Sequence, residues 1–580
     1  MSHIPDLEKK IPLMFRAQIK GRSQLHFIDQ NRTRRGEEQD SERWVSEWIE
    51  RVDTKQPEFG EDVKTNTYTF PWRFVTNGGQ DEGIIRPVMG AYGFPFYPGS
   101  SMKGIFCQAC TSEQRERYRL TKNGDEPSLL RFHGGYPVND WTQNLLDIVH
   151  PQQGWQVKTT NTRDKPRGES AFALISLYQP TFEFGISSLL PDTNWDEVWQ
   201  IWEKALGFGL GCRVSSGYGL AQARLEGEEE KALPTQGNLL YKCHLRGQGQ
   251  APKLLDSEDG EFRPNIFRSA VRGHALRIFG GLTGDKTAED LVDTLFGGVR
   301  GEGTQGLLAI AFKSSRLEIE PFRAGYDEPT YQVTGELRWL LTQSLAAAQQ
   351  ECLKKLIRGL MRFTMLFGGF GKSWRRADHR EFYKNYYQRQ KKPLIGCHWQ
   401  WHGSSLAEAI PVRSLNHVAP FIEALQQTAR EWMSLQGVTA NPNHKATWRE
   451  IWHPENVEVW GRIAEDEDDS LAIQWFHQPY QRNDRKTGQS ELSIKRSSMT
   501  GSIGQVSRIW HRMCPKVIPG TNPQDPNGRK VPRRTTEYLE LLTIFPDGSD
   551  ECQDFLGFLD HQAEIASSEK PFQRLWGELV

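Results

Sequence analysis

FYPGSSMKG, residues Phe96–Gly104, decides the reading of this chain, because a turn of the same kind returns in its second half. A Gly/Ser turn carrying a cation opens a helix, and a Gly-rich basic loop follows much later, GFGLGCRVSSGYG at Gly207–Gly219. The second half repeats the pair as RPNIFRSAVRG (Arg263–Gly273) and LFGGFGKSWRRADH (Leu366–His379). From Gly104 to Gly211 is 107 residues, and from Gly273 to Gly371 is 98. Two copies at similar spacing imply one fold used twice. Turns that expose backbone N–H groups beside Lys, Arg and Ser point to phosphate binding.

Working outward, Leu13–Lys20 alternates as a strand, with Phe15, Ala17 and Ile19 on one face. Asn31–Asn66 is charged and carries an amphipathic helix around Trp44, Val45, Trp48 and Ile49. It reads as an insertion that packs against a neighbouring subunit or the other domain. A strand at Tyr68–Val75 leads into the loop NGGQDEG, and a Ser of FYPGSS is placed to cap the helix from Met102. Strands at Ala171–Tyr178, Thr181–Phe184 and Leu220–Leu225 flank a helix at Trp195–Leu206. Acidic Glu226–Glu230 followed by Pro234 and Gly237 marks a boundary, after which strand Leu239–Leu245 restarts the pattern. In the second half we expect helices at Asn265–Phe279, Ala288–Phe296 and Leu337–Leu360, with a strand at Leu307–Phe312. Beyond residue 400 we expect a helix at Phe421–Met433 and strands at Glu458–Ile463, Ser470–Phe476 and Glu537–Phe545.

The expected class is α+β, two tandem ferredoxin-like β-α-β-β-α-β domains with insertions. Their expected bounds are 1–232, with an insertion at about 30–66, then 236–400, with 401–580 as an elaboration of the second.

Net charge is −1, from 72 basic and 73 acidic residues, so no global basic excess argues for nucleic acid. The distribution does: Lys372, Arg375, Arg376 and Arg380 crowd one Gly-rich loop, and GRKVPRR at Gly528–Arg534 forms another cluster. The start MSHIPDLEKK is no signal peptide, no apolar run reaches a membrane span, and 8 scattered cysteines form no disulfide framework. These features point to a cytoplasmic protein without membrane contact. GGFGKS fails the Walker pattern because Leu366 stands where Gly is required, and GFGLGC fails GxGxxG at Cys212. Cys107 and Cys110 have no second pair at zinc spacing, so they read as buried small side chains.

YGFPFYPGSSMKG together with GFGLGCRVSSGYG resembles the RAMP superfamily (repeat-associated mysterious proteins). These are RNA-recognition-motif-like backbone subunits of type III CRISPR effector complexes. RPNIFRSAVRGHALRIFGG, LFGGVRGEGTQGLLAIAF and FGGFGKSWRRADH resemble a divergent member, so the likeness covers about 68–220 and 239–380. It implies an antiviral ribonucleoprotein subunit that binds CRISPR RNA, meets single-stranded target RNA and contacts other effector subunits. The candidate RNA-binding residues are Lys103, Arg213, Ser215, Ser216, Arg268, Arg272, Lys372 and Arg375. Trp374 is placed to stack on a base, whereas Trp510 and His511 read as structural.

Where such subunits cut RNA, a loop before the turn supplies an aspartate, which makes the expected enzyme an endoribonuclease. Asp81 in NGGQDEGIIRPV and Asp256 in LLDSEDGEF are the candidates, with Asp259 and Asp29 behind them. A carboxylate suits the chemistry because a ribose 2′-OH needs an oriented proton acceptor or a held divalent cation to attack the adjacent phosphodiester. The implied cofactor is a divalent metal, Mg, whose ligands the sequence leaves unknown. Gly/Asp-rich loops also simply turn and stay solvated, which leaves open a scaffold that binds RNA without cutting it. A stand-alone enzyme processing precursor CRISPR RNA is a more distant alternative, through His379 or Tyr218.

Overall fold

The computed structural model describes residues 40–52, 55–76, 80–81, 84–120, 127–149, 154–158, 172–233, 238–254, 257, 259–298, 305–323, 326–386, 393–441, 444–483, 488, 490–501, 506–521, 530–564 and 571–578. The expected strand at Leu13–Lys20, Asp29 and Asp256 lie outside them. The chain divides into two compact units. Met1–Pro151, Gly168–Gly237 and Leu254–Glu258 form the first, and Gln152–Arg167, Asn238–Lys253 and Asp259–Val580 the second.

In the first unit, α1 (Asp40–Ile49) precedes β1 (Lys64–Thr69), α2 (Gly99–Ala109), β2 (Leu130–Pro137), β3 (Thr181–Ser188), α3 (Trp195–Leu206), β4 (Ala223–Glu226) and β5 (Glu229–Ala232). The sheet order is β5-β4-β1-β3-β2, every pair antiparallel. Strand, helix, strand, strand, helix, strand is thus the succession of β1, α2, β2, β3, α3 and β4. Alternation in β3 sends Phe182, Phe184 and Ile186 into the core, where Trp202 of α3 meets Phe184 at 5.0 Å between ring centroids. The α1 helix is no appended packing element, as the sequence led us to expect. Trp44 and Trp48 are fully buried in this core, and Trp48 lies 5.2 Å from Trp141 while its Nε1 donates to the Gly93 carbonyl at 2.8 Å. Charge around two tryptophans disguised a core helix.

The second unit holds two further sheets. The first comprises β6 (Leu239–Gln250), α4 (Asn265–Gly280), α5 (Asp285–Phe296), β7 (Leu308–Arg323), β8 (Tyr326–Leu341), α6 (Ala347–Phe367) and β9 (His398–Trp401), in the order β7-β8-β6-β9. The second comprises β10 (Glu458–Ala464), α7 (Leu471–His477), β11 (Ile509–Thr521), β12 (Lys530–Ile544), α8 (Asp550–Glu564) and β13 (Gln573–Trp576), in the order β11-β12-β10-β13. Both are antiparallel throughout, and both repeat the strand order of the first unit. Residues beyond 400 carry a four-stranded sheet of their own within the same compact unit as the β6–β9 sheet.

Two elements differ from the sequence reading. Leu337 lies in β8, not at the start of a helix, because Tyr331, Val333, Leu337 and Trp339 are buried at period two between Gln332, Thr334, Glu336 and Arg338. Ser470–Phe476 is helical from Leu471. Ser470 Oγ accepts from the Ile473 N–H at 3.3 Å, and Glu540 of β12 accepts from the Ala472 N–H at 3.0 Å. A partner so distant in sequence is invisible to local propensity. The segment around Val157 belongs to the second unit, although its chain runs inside the first half: Val157 is buried in that core, and its carbonyl accepts from the Glu450 N–H at 2.9 Å.

Candidate nucleic-acid interface

The first turn is built by a steric requirement. A Cβ at Gly99 would overlap the Phe132 carbonyl oxygen of β2, so only glycine lets α2 start there. The helix begins one residue after Pro98, and no side chain caps it, so neither serine is the cap we expected. Ser100 and Ser101 instead occupy its exposed first turn, where backbone N–H groups have no intrahelical acceptor. Lys103 is exposed and makes no ion pair among the described residues, and Gly104 beside it faces open space. Cys107 and Cys110 sit further along and past this helix, their thiols pushed up by burial, Cys110 to about 11. They are inert packing groups, as their spacing implied.

The Gly-rich loop of the first unit is stitched inward. Cys212 N–H donates to the Val75 carbonyl at 2.9 Å and Gly219 N–H to the Arg73 carbonyl at 2.9 Å. Gly211, at φ +77°, has no room for a Cβ against the Val75 carbonyl. Tyr218 is fully buried, its hydroxyl donating to Asp147 Oδ2 at 2.6 Å, so it is closed off as a processing acid. Arg213 turns the same way: burial holds its guanidinium below its ordinary range, and the charges of Tyr218, Cys212 and Asp147 oppose that. Ser215 and Ser216 are half-buried in a short turn at Val214–Ser216. Arg213 is thus corrected from a solvent-facing clamp to a loop anchor.

Asp81 lies in a strand, Gln80–Asp81, rather than in a loop, and pairs antiparallel with Ile84. Asp81 follows Val75, whose carbonyl accepts from the Gly-rich loop's Cys212 N–H, at six residues in sequence.

The second copy departs further. Arg272 of α4 donates to Asp293 of α5 at 2.5 Å, and Gly273, the counterpart of Gly104, is buried. The Arg272 guanidinium therefore joins two helices instead of facing a phosphate. Arg268 is half-buried on the same helix, and Asp259 is exposed. The Gly-rich loop splits in two. Its tip, Lys372 and Ser373, is exposed, and Lys372 makes no ion pair. Partial burial holds the Lys372 ammonium somewhat below its ordinary value, opposed by Glu328.

The rest of that loop turns inward onto Glu450, which sequence reasoning missed because nothing local marks a loop glutamate. Arg375 Nη2 donates to Glu450 Oε1 at 2.8 Å, Arg277 Nε to Oε2 at 3.0 Å, and Arg449 is a third partner. Burial alone would raise this carboxyl, but Arg375, Arg277 and Arg449 together hold it down to about 2. Trp374 lies 5.0 Å from Trp510 and 5.2 Å from His274, with the Arg375 guanidinium 4.5 Å over its ring. Arg375 and Trp374 are thus corrected from RNA contacts to parts of a buried cation cluster. Trp510 and His511 are buried on β11, structural as expected. His379 is buried 3.3 Å from His477 and held far below its ordinary value by burial and nearby cations, so it offers no exposed acid or base. Among the described residues, no helix is long and apolar enough to cross a membrane.

No family model matches the chain, and no curated protein matches it. Among solved structures, it is similar to a chain of the type III-B Cmr-beta complex bound to cognate target RNA, at 18% identity and a TM-score of 0.23. That match covers 28% of this chain and 59% of the other, so less than two thirds of that chain is spanned. It is also similar to Cmr1 from Pyrococcus furiosus in its apo form, at 11% identity and a TM-score of 0.29, over 58% of this chain and 99% of that one. Type III is the class of complex to which the sequence motifs pointed. At these TM-scores neither alignment carries the functional reading, which rests on the residues above.

Proposed function

We propose that this chain is an RNA-binding backbone subunit of an RNA-guided type III CRISPR effector, built of repeated ferredoxin-like units. The observation that carries the reading is the turn at Gly99–Gly104: steric fit fixes its backbone, and it presents an exposed, unpaired Lys103 beside an open glycine. The Lys372–Ser373 tip supports it from the second unit. Such contacts grip phosphates without reading bases, so sequence selection falls to guide–target pairing. Purifying the chain from cells that express its neighbouring genes, then sequencing the bound nucleic acid, tests this. CRISPR RNA should dominate, and random cellular RNA would count against the reading.

Cleavage of paired target RNA through Asp81 extends the proposal. Its carboxylate would accept the proton of a ribose 2′-OH as that oxygen attacks the adjacent phosphorus. The P–O5′ bond then breaks, leaving a 2′,3′-cyclic phosphate and a 5′-hydroxyl after the leaving oxygen is protonated by water. Its link to the Gly-rich loop through Val75 supports this assignment. Among the described residues, no group of three or more His, Cys, Asp or Glu side chains fits a metal ion, so no step here runs through Mg. A scaffold that binds RNA without cutting it is the alternative. Asp81→Ala in the assembled complex, incubated with complementary RNA with and without chelator, separates the two: unchanged products would leave this chain a scaffold.

A further inference from the structure

An open cavity of about 480 Å³ lies on the β6–β9 sheet, on the face that carries Arg246 and Gln248, away from the core residues Cys243 and Leu245. Its size is that of small-ligand sites. Two guanidiniums in its wall, Arg246 of β6 and Arg534 of β12, make no ion pair among the described residues. Arg534 is oriented by one hydrogen bond, Nη2 to the Trp401 carbonyl at 2.6 Å. The wall also holds His398, only 3% exposed, whose Nδ1 has no hydrogen-bond partner, while its Nε2 meets the Gln400 amide at 2.6 Å. A buried imidazole nitrogen without a partner among the described residues is an unmet hydrogen bond beside the cavity. Glu381 completes the wall, accepting from Gln248 Nε2 at 3.0 Å and making no ion pair.

We propose that this cavity binds a ribose-phosphate unit, with Arg246 and Arg534 on the phosphoryl oxygens and Glu381 on a sugar hydroxyl. Paired guanidinium forks suit phosphoryl oxygens. Among the described residues the wall has no Phe, Tyr or Trp ring for a base to stack on, so the ligand is held mainly by its backbone chemistry. That chemistry is shared by a free nucleotide and by one unit of an RNA strand. The site shares no residue with the lysine-bearing turns.

Binding is coupled to a proton on Glu381. Burial, then the neighbouring Asp378 and Glu467 carboxylates, push this carboxyl up to about 7, against Arg246 and Arg380. Arg534 and Tyr538 of β12 also face it, and Gln248 is its neighbour on β6. The protonated form removes a negative charge from beside the phosphate and can donate to a hydroxyl. With a value near 7, the protonated fraction falls about tenfold between pH 6 and pH 8.

Equilibrium dialysis of the full chain against UpU tests this, because a phosphodiester keeps one charge across that range. We expect binding up to about tenfold weaker at pH 8 than at pH 6, and weaker binding of the 2′-deoxy dinucleotide. Glu381→Gln should bind UpU equally at both pH values, and Arg246→Ala, an exposed side chain, should bind at least several-fold more weakly. Uridine 5′-monophosphate binding tighter than UpU would assign a free nucleotide, and weaker would assign a strand. UpU binding that ignores pH in the wild type, survives Arg246→Ala intact or is matched by the deoxy form would overturn the site. Lys103→Ala should leave UpU binding unchanged, so failure here is distinct from failure of the RNA-binding proposal.

Discussion

Replacing Glu450 by Gln keeps the shape of the residue and removes the one carboxylate among three guanidiniums. Arg277, Arg375 and Arg449 are 4%, 11% and 6% exposed at their side chains, and none can shed its proton near neutral pH. A carboxyl held at about 2 against an ordinary 4.5 corresponds to about 3 kcal/mol of coupling between charge and fold. Breaking a buried pair from one side gives about 3–5 kcal/mol, so the two routes agree. Because the folded value is lowered, this stabilisation is complete above about pH 4.5 and is lost as pH falls toward about 2. Urea melts followed through tryptophan fluorescence should show Glu450→Gln destabilised by about 3 kcal/mol at pH 7, with the gap to wild type closing below pH 4. A loss under about 1 kcal/mol at pH 7, or a gap independent of pH, would refute the ion-cluster account.

Trp48→Ala should destabilise the first unit by about 3–5 kcal/mol in thermal melts, since a fully buried ring and its bond to Gly93 are both lost. Survival of that unit with only an assembly defect would return α1 to the role of an appended element. Arg272→Ala should cost about 1 kcal/mol or less, as expected for a half-buried ion pair, and leave the salt dependence of RNA binding unchanged.

What the sequence made legible was whatever has a local cause. The alternation of β3 and β6, the helix from Trp195 and the turn at Gly99 all announce themselves within a few residues. The direction of each cation does not. RPNIFRSAVRG and FYPGSSMKG look alike as strings, yet Arg272 meets Asp293 on the next helix while Lys103 makes no ion pair among the described residues. Arg375 seemed an RNA contact until Glu450, 75 residues on, claimed it. The third sheet was hidden for the same reason. Its helix α7 starts where Glu540 of a distant strand satisfies the backbone, so the seven residues LAIQWFH read locally as a strand. Glu381 stayed unnoticed because its burial and much of its charge environment come from β6, β12 and the Glu467 loop, none adjacent in sequence, and only Asp378 and Arg380 are local.

The central claim is that Lys103 and Lys372 face RNA phosphates while the other cations of the two motifs serve the fold. The measurement that tests it most directly is the salt dependence of guide-RNA affinity for wild type, Lys103→Ala/Lys372→Ala and Arg272→Ala, from about 50 to 200 mM salt. Each lost phosphate contact on a single strand flattens the log–log slope by about 0.7, so the double lysine variant should be shallower by about 1.4. Arg272→Ala should superimpose on wild type. A lysine variant with an unchanged slope, or an Arg272→Ala slope that flattens instead, would contradict the assignment.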